Sequence, residues 1–141
     1  MNTAKQYLKQ YENAVKEEQR VQREYDEELD LIDNIRSSLG GDGLPRSGEI
    51  NKKVEKQAIK LADKADELLE AAFAAIKIRQ QIFKLVMKVP GDMGSVLYER
   101  YVQLKEWKDV ADAVGYSESH IYELHRDGLD YVNNLLGNTT P

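Results

Sequence analysis

Apolar residues in the first third of the chain recur at three- and four-residue steps or multiples of them: Leu8, Tyr11, Val15, Tyr25, Leu29, Ile32 and Leu39. The positions between them are mostly Glu, Lys, Gln and Arg, so the pattern predicts one long amphipathic helix with a narrow apolar stripe. Thr3-Ala4-Lys5-Gln6 has the spacing of a capping box at its start. Glu18 and Gln22 fall where the stripe should be apolar, which makes its middle weak. The segment from Ser37 to Gly48 breaks the period with several Gly and Pro45, and reads as a loop over about 37–48. A second long helix follows, carried by Ile50, Val54, Ala58, Leu61, Ala65, Leu68, Ala72, Ile76, Ile82, Val86 and Val89, and Pro90-Gly91 closes it. Two helices of similar length joined by one loop predict an antiparallel hairpin over residues 1–91. Phe73, Ile76, Ile78 and Phe83 form an apolar edge that two helices alone would leave open. That edge would be covered by the C-terminal domain or, the reading favoured here, by a second copy of the chain, so self-association as a coiled-coil dimer or other homo-oligomer is expected of the hairpin.

Residues 92–137 carry three shorter helical patterns, with residues 138–141 left as a tail. Ser95 is placed to cap the first, which should bury Val96, Leu97, Tyr101 and Leu104. The second runs from about Trp107 to Val114. The third begins near Ser117 and holds Ile121, Leu124, Leu129, Val132 and Leu136. The fold class expected is all-α: a long antiparallel helical hairpin followed by a small C-terminal helical domain.

The stretch Trp107–Arg126 meets the demands of a helix-turn-helix. Ala111 is the small residue where two helices approach most closely. Gly115, four positions later, can take a positive φ and end the first helix without a Cβ clash. Ile121, six positions further on, is the apolar anchor of the second helix, and Ser117 can cap it. Val110, Val114, Tyr116 and Leu124 are expected to line the space between the helices, with Trp107 filling the core at the start of the first.

Leu97-Tyr98-Glu99-Arg100-Tyr101, Trp107-Lys108-Asp109-Val110-Ala111, Gly115-Tyr116-Ser117 and Ile121-Tyr122-Glu123-Leu124-His125 together resemble region four of bacterial sigma factors. More closely, they resemble the phage and prophage sigma-region-four-like regulators related to the ArpU/RinA-type late transcription regulators. The likeness extends over the chain in layout, and residues 95–136 carry its motifs. It implies a role in phage transcription, through binding to double-stranded DNA and contact with RNA polymerase. One departure is Gly128, where the family usually has Ala; it would either bend the third helix or allow close packing against a neighbour.

Charge is the second departure. The chain has 20 Lys+Arg and 25 Asp+Glu, a net −5, and residues 107–126 hold 2 basic and 4 acidic groups. In a DNA-bound helix-turn-helix the second helix offers its N-terminal residues to base edges. The candidates here are Ser117, Glu118, Ser119, Tyr122, Glu123 and Arg126, with Arg126 suited to a bidentate guanine contact. Lys108, Lys105 and Arg100 could meet phosphates. An acidic motif releases few counterions, so a single copy should bind DNA weakly at physiological salt. The alternatives to a DNA-binding regulator are an adaptor that docks RNA polymerase or another phage component with little DNA contact, and, further off, a small-terminase-like packaging protein.

The remaining composition removes other classes. With no Cys, disulfides, Cys-based zinc sites and thiol nucleophiles are excluded. His120 and His125 are the only histidines and would stand about 140° apart on a helix, off the face a metal site needs. His120 reads as solvent-exposed or touching DNA, and His125 as a packing or capping group. No metal, cofactor or enzymatic activity is expected. The absence of long apolar runs and of a secretory leader pattern points to a cytoplasmic protein that does not enter the membrane.

Overall fold

The computed structural model describes residues 3–39 and 47–138, and every regular element among them is helical. In chain order these are α1 (Thr3–Leu8), α2 (Gln10–Leu39), α3 (Ser47–Val86), α4 (Gly91–Leu97), a π-helical segment (Tyr98–Val102), α5 (Trp107–Val114) and α6 (Glu118–Asn138). The hydrogen-bond ladder continues across Lys9, with Lys9 N–H donating to Lys5 O and Asn13 N–H to Lys9 O, both at 3.0 Å. The first helix is thus continuous, as its periodicity predicts. It extends through Ser37 and Ser38, which the sequence had assigned to the loop, and Ser38 Oγ bonds back to Asn34 O at 3.0 Å. The turn expected at Gly40-Gly41-Asp42-Gly43 lies outside the described residues, as does most of the expected tail at 138–141.

The chain forms two compact units, and their divisions fall within α2 and α3 rather than at Pro90-Gly91. One comprises Val15–Ala74, the body of the α2·α3 antiparallel pair. Its polar partners run in opposite order on the two helices: Arg20 with Glu67, Glu24 with Lys64, and Glu28 with Gln57. The seam follows Val21 and Gln57, both buried, with Glu18, Tyr25, Glu28, Ile32, Leu61, Lys64 and Leu68 half-buried. The apolar stripe read from the sequence is thereby shifted. Leu29 is exposed on α2, as are Ala58, Ala65 and Ile76 on α3. Glu18 and Glu28 occupy the seam because long polar side chains can lay their aliphatic stems inward while their heads reach partners or water.

The other unit joins Met1–Ala14 to Ala75–Pro141. Its main core gathers Ala4, Leu8, Ile82, Val86, Val89, Leu97, Tyr101, Val102, Leu129 and Val132. Fully buried aliphatic side chains such as Leu8, Ile82 and Leu97 contribute about 1.5–3 kcal/mol each. A smaller cluster of Val96, Val110, Ala111 and Ile121 lies between α4, α5 and α6. The amide of Ala4, an early donor of the first helix, is accepted by Asn133 Oδ1 of α6 at 2.9 Å, so the opening helix is tied to the last one.

Three local expectations are corrected here. The second long helix stops at Val86, not at Pro90-Gly91: Met87, Lys88 and Val89 form a turn, and Pro90 takes the N-cap position of α4 in extended geometry. Ser95 is therefore inside α4 instead of capping it. Leu104 is only half-buried and has a φ of 58°, in the left-handed region, because the chain must turn sharply after the π-helical segment to start α5.

Gly128 resolves in favour of close packing. A Cβ there would lie 3.2 Å from Leu97 Cδ1, and α6 continues unbroken past it. Gly94 is under a harder constraint, since a Cβ would come within 2.3 Å of the Val89 carbonyl oxygen. Gly94→Ala is expected to destabilise the fold by about 1–3 kcal/mol, the usual range for overpacking. Chemical denaturation would show this as a lowered midpoint; an unchanged midpoint would mean that α4 is not held this tightly against the preceding turn.

Candidate nucleic-acid interface

α5 is an eight-residue helix that ends at Gly115, whose φ of 89° and ψ of 29° place it in the left-handed region. Its amide returns to Ala111 O at 2.8 Å, and the Tyr116 amide reaches the same oxygen at 3.3 Å. The chain passes through Ser117, whose Oγ accepts from the His120 amide at 3.3 Å, and enters α6 at Glu118. Ser117 is thus the cap of α6, as its position in the sequence suggests. Ala111 is buried at 7% exposure and Ile121 at 0%, while Trp107, Val114 and Leu124 pack partly buried around them. The residues chosen from the sequence as the helix-turn-helix frame are brought together.

Tyr116 behaves differently. It is exposed, its hydroxyl donates to Asp92 Oδ2 at 2.6 Å, and its ring meets His120 edge-on at 4.6 Å. It brackets the turn from outside instead of lining the space between α5 and α6, and Asp92 and His120 are its partners there.

A polar and aromatic clasp fixes α6 against the preceding segments, and this grouping was not anticipated from the sequence. The Tyr101 hydroxyl and His125 Nε2 are 2.6 Å apart and their rings stack at 5.7 Å between centroids. Trp107 packs edge-on against His125 at 4.6 Å and lies tilted against Tyr122 at 5.1 Å. The Arg100 guanidinium lies 4.6 Å from the Trp107 ring centre while donating to Lys105 O at 2.8 Å. The π-helical turn supplies both Arg100 and Tyr101. The sequence places Tyr101 and Trp107 in the core and His125 as a packing group, but nothing in their spacing brings these three and Arg100 together.

Burial raises the Tyr101 phenol to about 12 and lowers His125 to about 4, with Lys5 and Arg100 adding to the latter effect. The imidazole is therefore held neutral in the folded chain, as a packing group and hydrogen-bond partner.

The opposite face of α6 is open. Glu118, Ser119, Tyr122, Glu123 and Arg126 are all exposed, as is Ser117 before them, and Arg126 is 73% accessible along its side chain. Lys108 is exposed on α5. The other two cations proposed for phosphate contact are engaged: Arg100 by Trp107 and Lys105 O, and Lys105 by Glu99 at 2.6 Å. Glu118, Glu123, Asp127 and Asp130 share the exposed side of α6 with Arg126. This acidic surface can accept from cytosine amino groups or from a basic partner, but it opposes phosphates.

Among the described residues no His, Asp and Glu form a group able to hold a metal ion, and no helix is long and apolar enough to cross a membrane. No family model matches the chain, and no curated protein or solved structure matches it either.

The state of His125 sets a pH dependence. A base lowered from 6.5 to about 4 on folding leaves its full stabilisation in place above about pH 6.5. That stabilisation is lost as pH falls toward 4, because the unfolded chain takes up the proton first. Thermal unfolding of the wild type should weaken between pH 6.5 and 4.5, and His125→Gln should flatten that slope. Parallel slopes for the two proteins would show that the imidazole is not held neutral.

Proposed function

We propose that this chain is a DNA-binding transcription regulator of the phage or prophage type, which offers the N-terminal half of α6 to the major groove. The observation that supports this most is the α5–Gly115–α6 turn. It buries Ala111 and Ile121 between the helices while leaving Ser117, Ser119, Tyr122 and Arg126 together on the outside. That is the arrangement a helix-turn-helix uses to read base edges. The likeness of residues 95–136 to sigma-region-four-like regulators of the ArpU/RinA type supports the same reading. On it, Arg126 reads a base, Ser117, Ser119 and Tyr122 contact bases or backbone, Glu118 accepts from a base amino group, and Lys108 holds a phosphate. With so few cations on this face, binding relies on a second copy or on RNA polymerase for adequate affinity.

One observation favours a second reading. Glu118, Glu123, Asp127 and Asp130 outnumber Arg126 on the exposed side of α6, which suits an adaptor that docks a basic surface of RNA polymerase or of another phage component.

Selection of sites from a random duplex library at low salt separates the two. The regulator reading predicts a discrete enriched sequence. Against that site, Arg126→Ala should lose about 1–3 kcal/mol and relax the preference at one position, whereas Lys108→Ala should weaken all sequences alike and reduce the salt slope by about one. No enrichment by the folded protein, or indifference to both substitutions, would replace the regulator by the adaptor.

A further inference from the structure

A cleft of about 570 Å³ lies wholly within the unit that holds α4, α5 and α6, and no residue of α6 lines it. Phe83 and Met87 form one wall, from the end of α3 and the turn after it, and Phe83 meets the Tyr98 ring edge-on at 6.0 Å. Both stay open to solvent, Phe83 at 38% and Met87 at 65% exposure. Asp92, Ser95 and Glu99 form a second wall. They stand three and four residues apart along α4 and the π-helical turn, so they share one side of it. Val114 lines the cleft from the end of α5.

This size and lining suit a small molecule. Ligand sites commonly enclose about 300–1,000 Å³, with apolar and aromatic walls and a few polar groups that fix orientation. The charged groups on these walls are both acidic: Asp92 and Glu99 line the cleft, and no Lys, Arg or His does. Glu99 is compensated by Lys105, whose Nζ is 2.6 Å from its Oε2. Asp92 is not. The Tyr116 hydroxyl donates to Asp92 Oδ2 at 2.6 Å and holds the carboxylate in place, but among the described residues no cation pairs with it. A fixed carboxylate with its charge unbalanced, beside two aromatic rings and a thioether, is complementary to an ammonium group on an apolar body.

We infer that this cleft binds a small organic cation, a primary amine carried on an aromatic or branched apolar body. The ammonium meets Asp92, with the Ser95 hydroxyl one turn along the same side as a further acceptor. The apolar body lies against Phe83, Met87 and Val114. A neutral molecule of the same shape leaves the Asp92 charge unbalanced, and an anion is repelled by both carboxylates. The inference goes beyond the DNA reading and rests on no residue proposed to touch DNA, so failure of either leaves the other standing.

The test titrates phenethylammonium, and separately its neutral counterpart phenethyl alcohol, into the full chain carrying isotopically labelled methionine methyl groups. Phenethylammonium should shift the Met87 methyl resonance saturably, with a dissociation constant on the order of 1 mM. Met93, which does not line the cleft, should move less. Phenethyl alcohol should bind about tenfold more weakly, because it lacks the charge that Asp92 holds. Asp92→Asn keeps an acceptor for the Tyr116 hydroxyl and removes only the charge. It should weaken the ammonium about tenfold and leave the alcohol unchanged. No saturable shift of Met87 up to about 10 mM of the ammonium overturns the inference. So does equal affinity for ammonium and alcohol, or an Asp92→Asn protein that keeps the wild-type preference, since either outcome makes the cleft merely apolar.

Discussion

The exposed side of α6 depends on how its opposite side is held. α4 lies against α6 so closely that Leu97 occupies the space a side chain at position 128 would need. α4 is in turn pressed onto the end of the preceding turn at Gly94, where the Val89 carbonyl leaves no room for a Cβ. These two close approaches set the depth of α6. Val96 of α4 can then join Val110, Ala111 and Ile121 in one apolar cluster, which fixes α5 relative to α6. Gly115 completes the constraint by turning the chain through the left-handed region between them.

Around this packing, polar and aromatic groups set the rotation of α6. Tyr101 and His125 share a short hydrogen bond inside the unit, and Trp107 braces both His125 and Tyr122. A buried polar pair of this kind is specific because either partner alone would be left unsatisfied. Arg100 is drawn into the same cluster. The arrangement therefore spends on architecture a cation that the motif alone would offer to phosphate. What remains outward on the two helices is a face with Lys108, Arg126, two serines and Tyr122 set among carboxylates. Its chemistry suits selective contacts more than strong nonspecific attraction to DNA.

Much of this was legible in the sequence, for identifiable reasons. The helices follow from periodicity, and the α5–α6 turn from a small residue, a glycine and an apolar anchor at fixed intervals. The seam of α2 with α3 was harder to place. Glu18, Glu28, Gln57 and Lys64 contribute to it, and polar letters do not announce themselves as interior positions. The π-helical turn has no periodic signature, so the meeting of Tyr101 with His125 stayed hidden although both residues stood in the motif. Tyr116 was misplaced for a related reason: an aromatic beside a turn can pack inward or bracket the turn, and here its partners, Asp92 and His120, lie outside. Ile76 was counted both in the helix stripe and on the open edge, and the structure leaves it on the open edge.

Whether duplex DNA meets the exposed face of α6, as proposed, is decided by amide chemical-shift mapping of the isotopically labelled full chain titrated with duplex DNA at low salt. Binding through this face should concentrate the perturbations from Ser117 to Arg126 and at Lys108, with little change along α2 and α3. Shifts confined to the hairpin, or none at all with α5 and α6 intact, would contradict it.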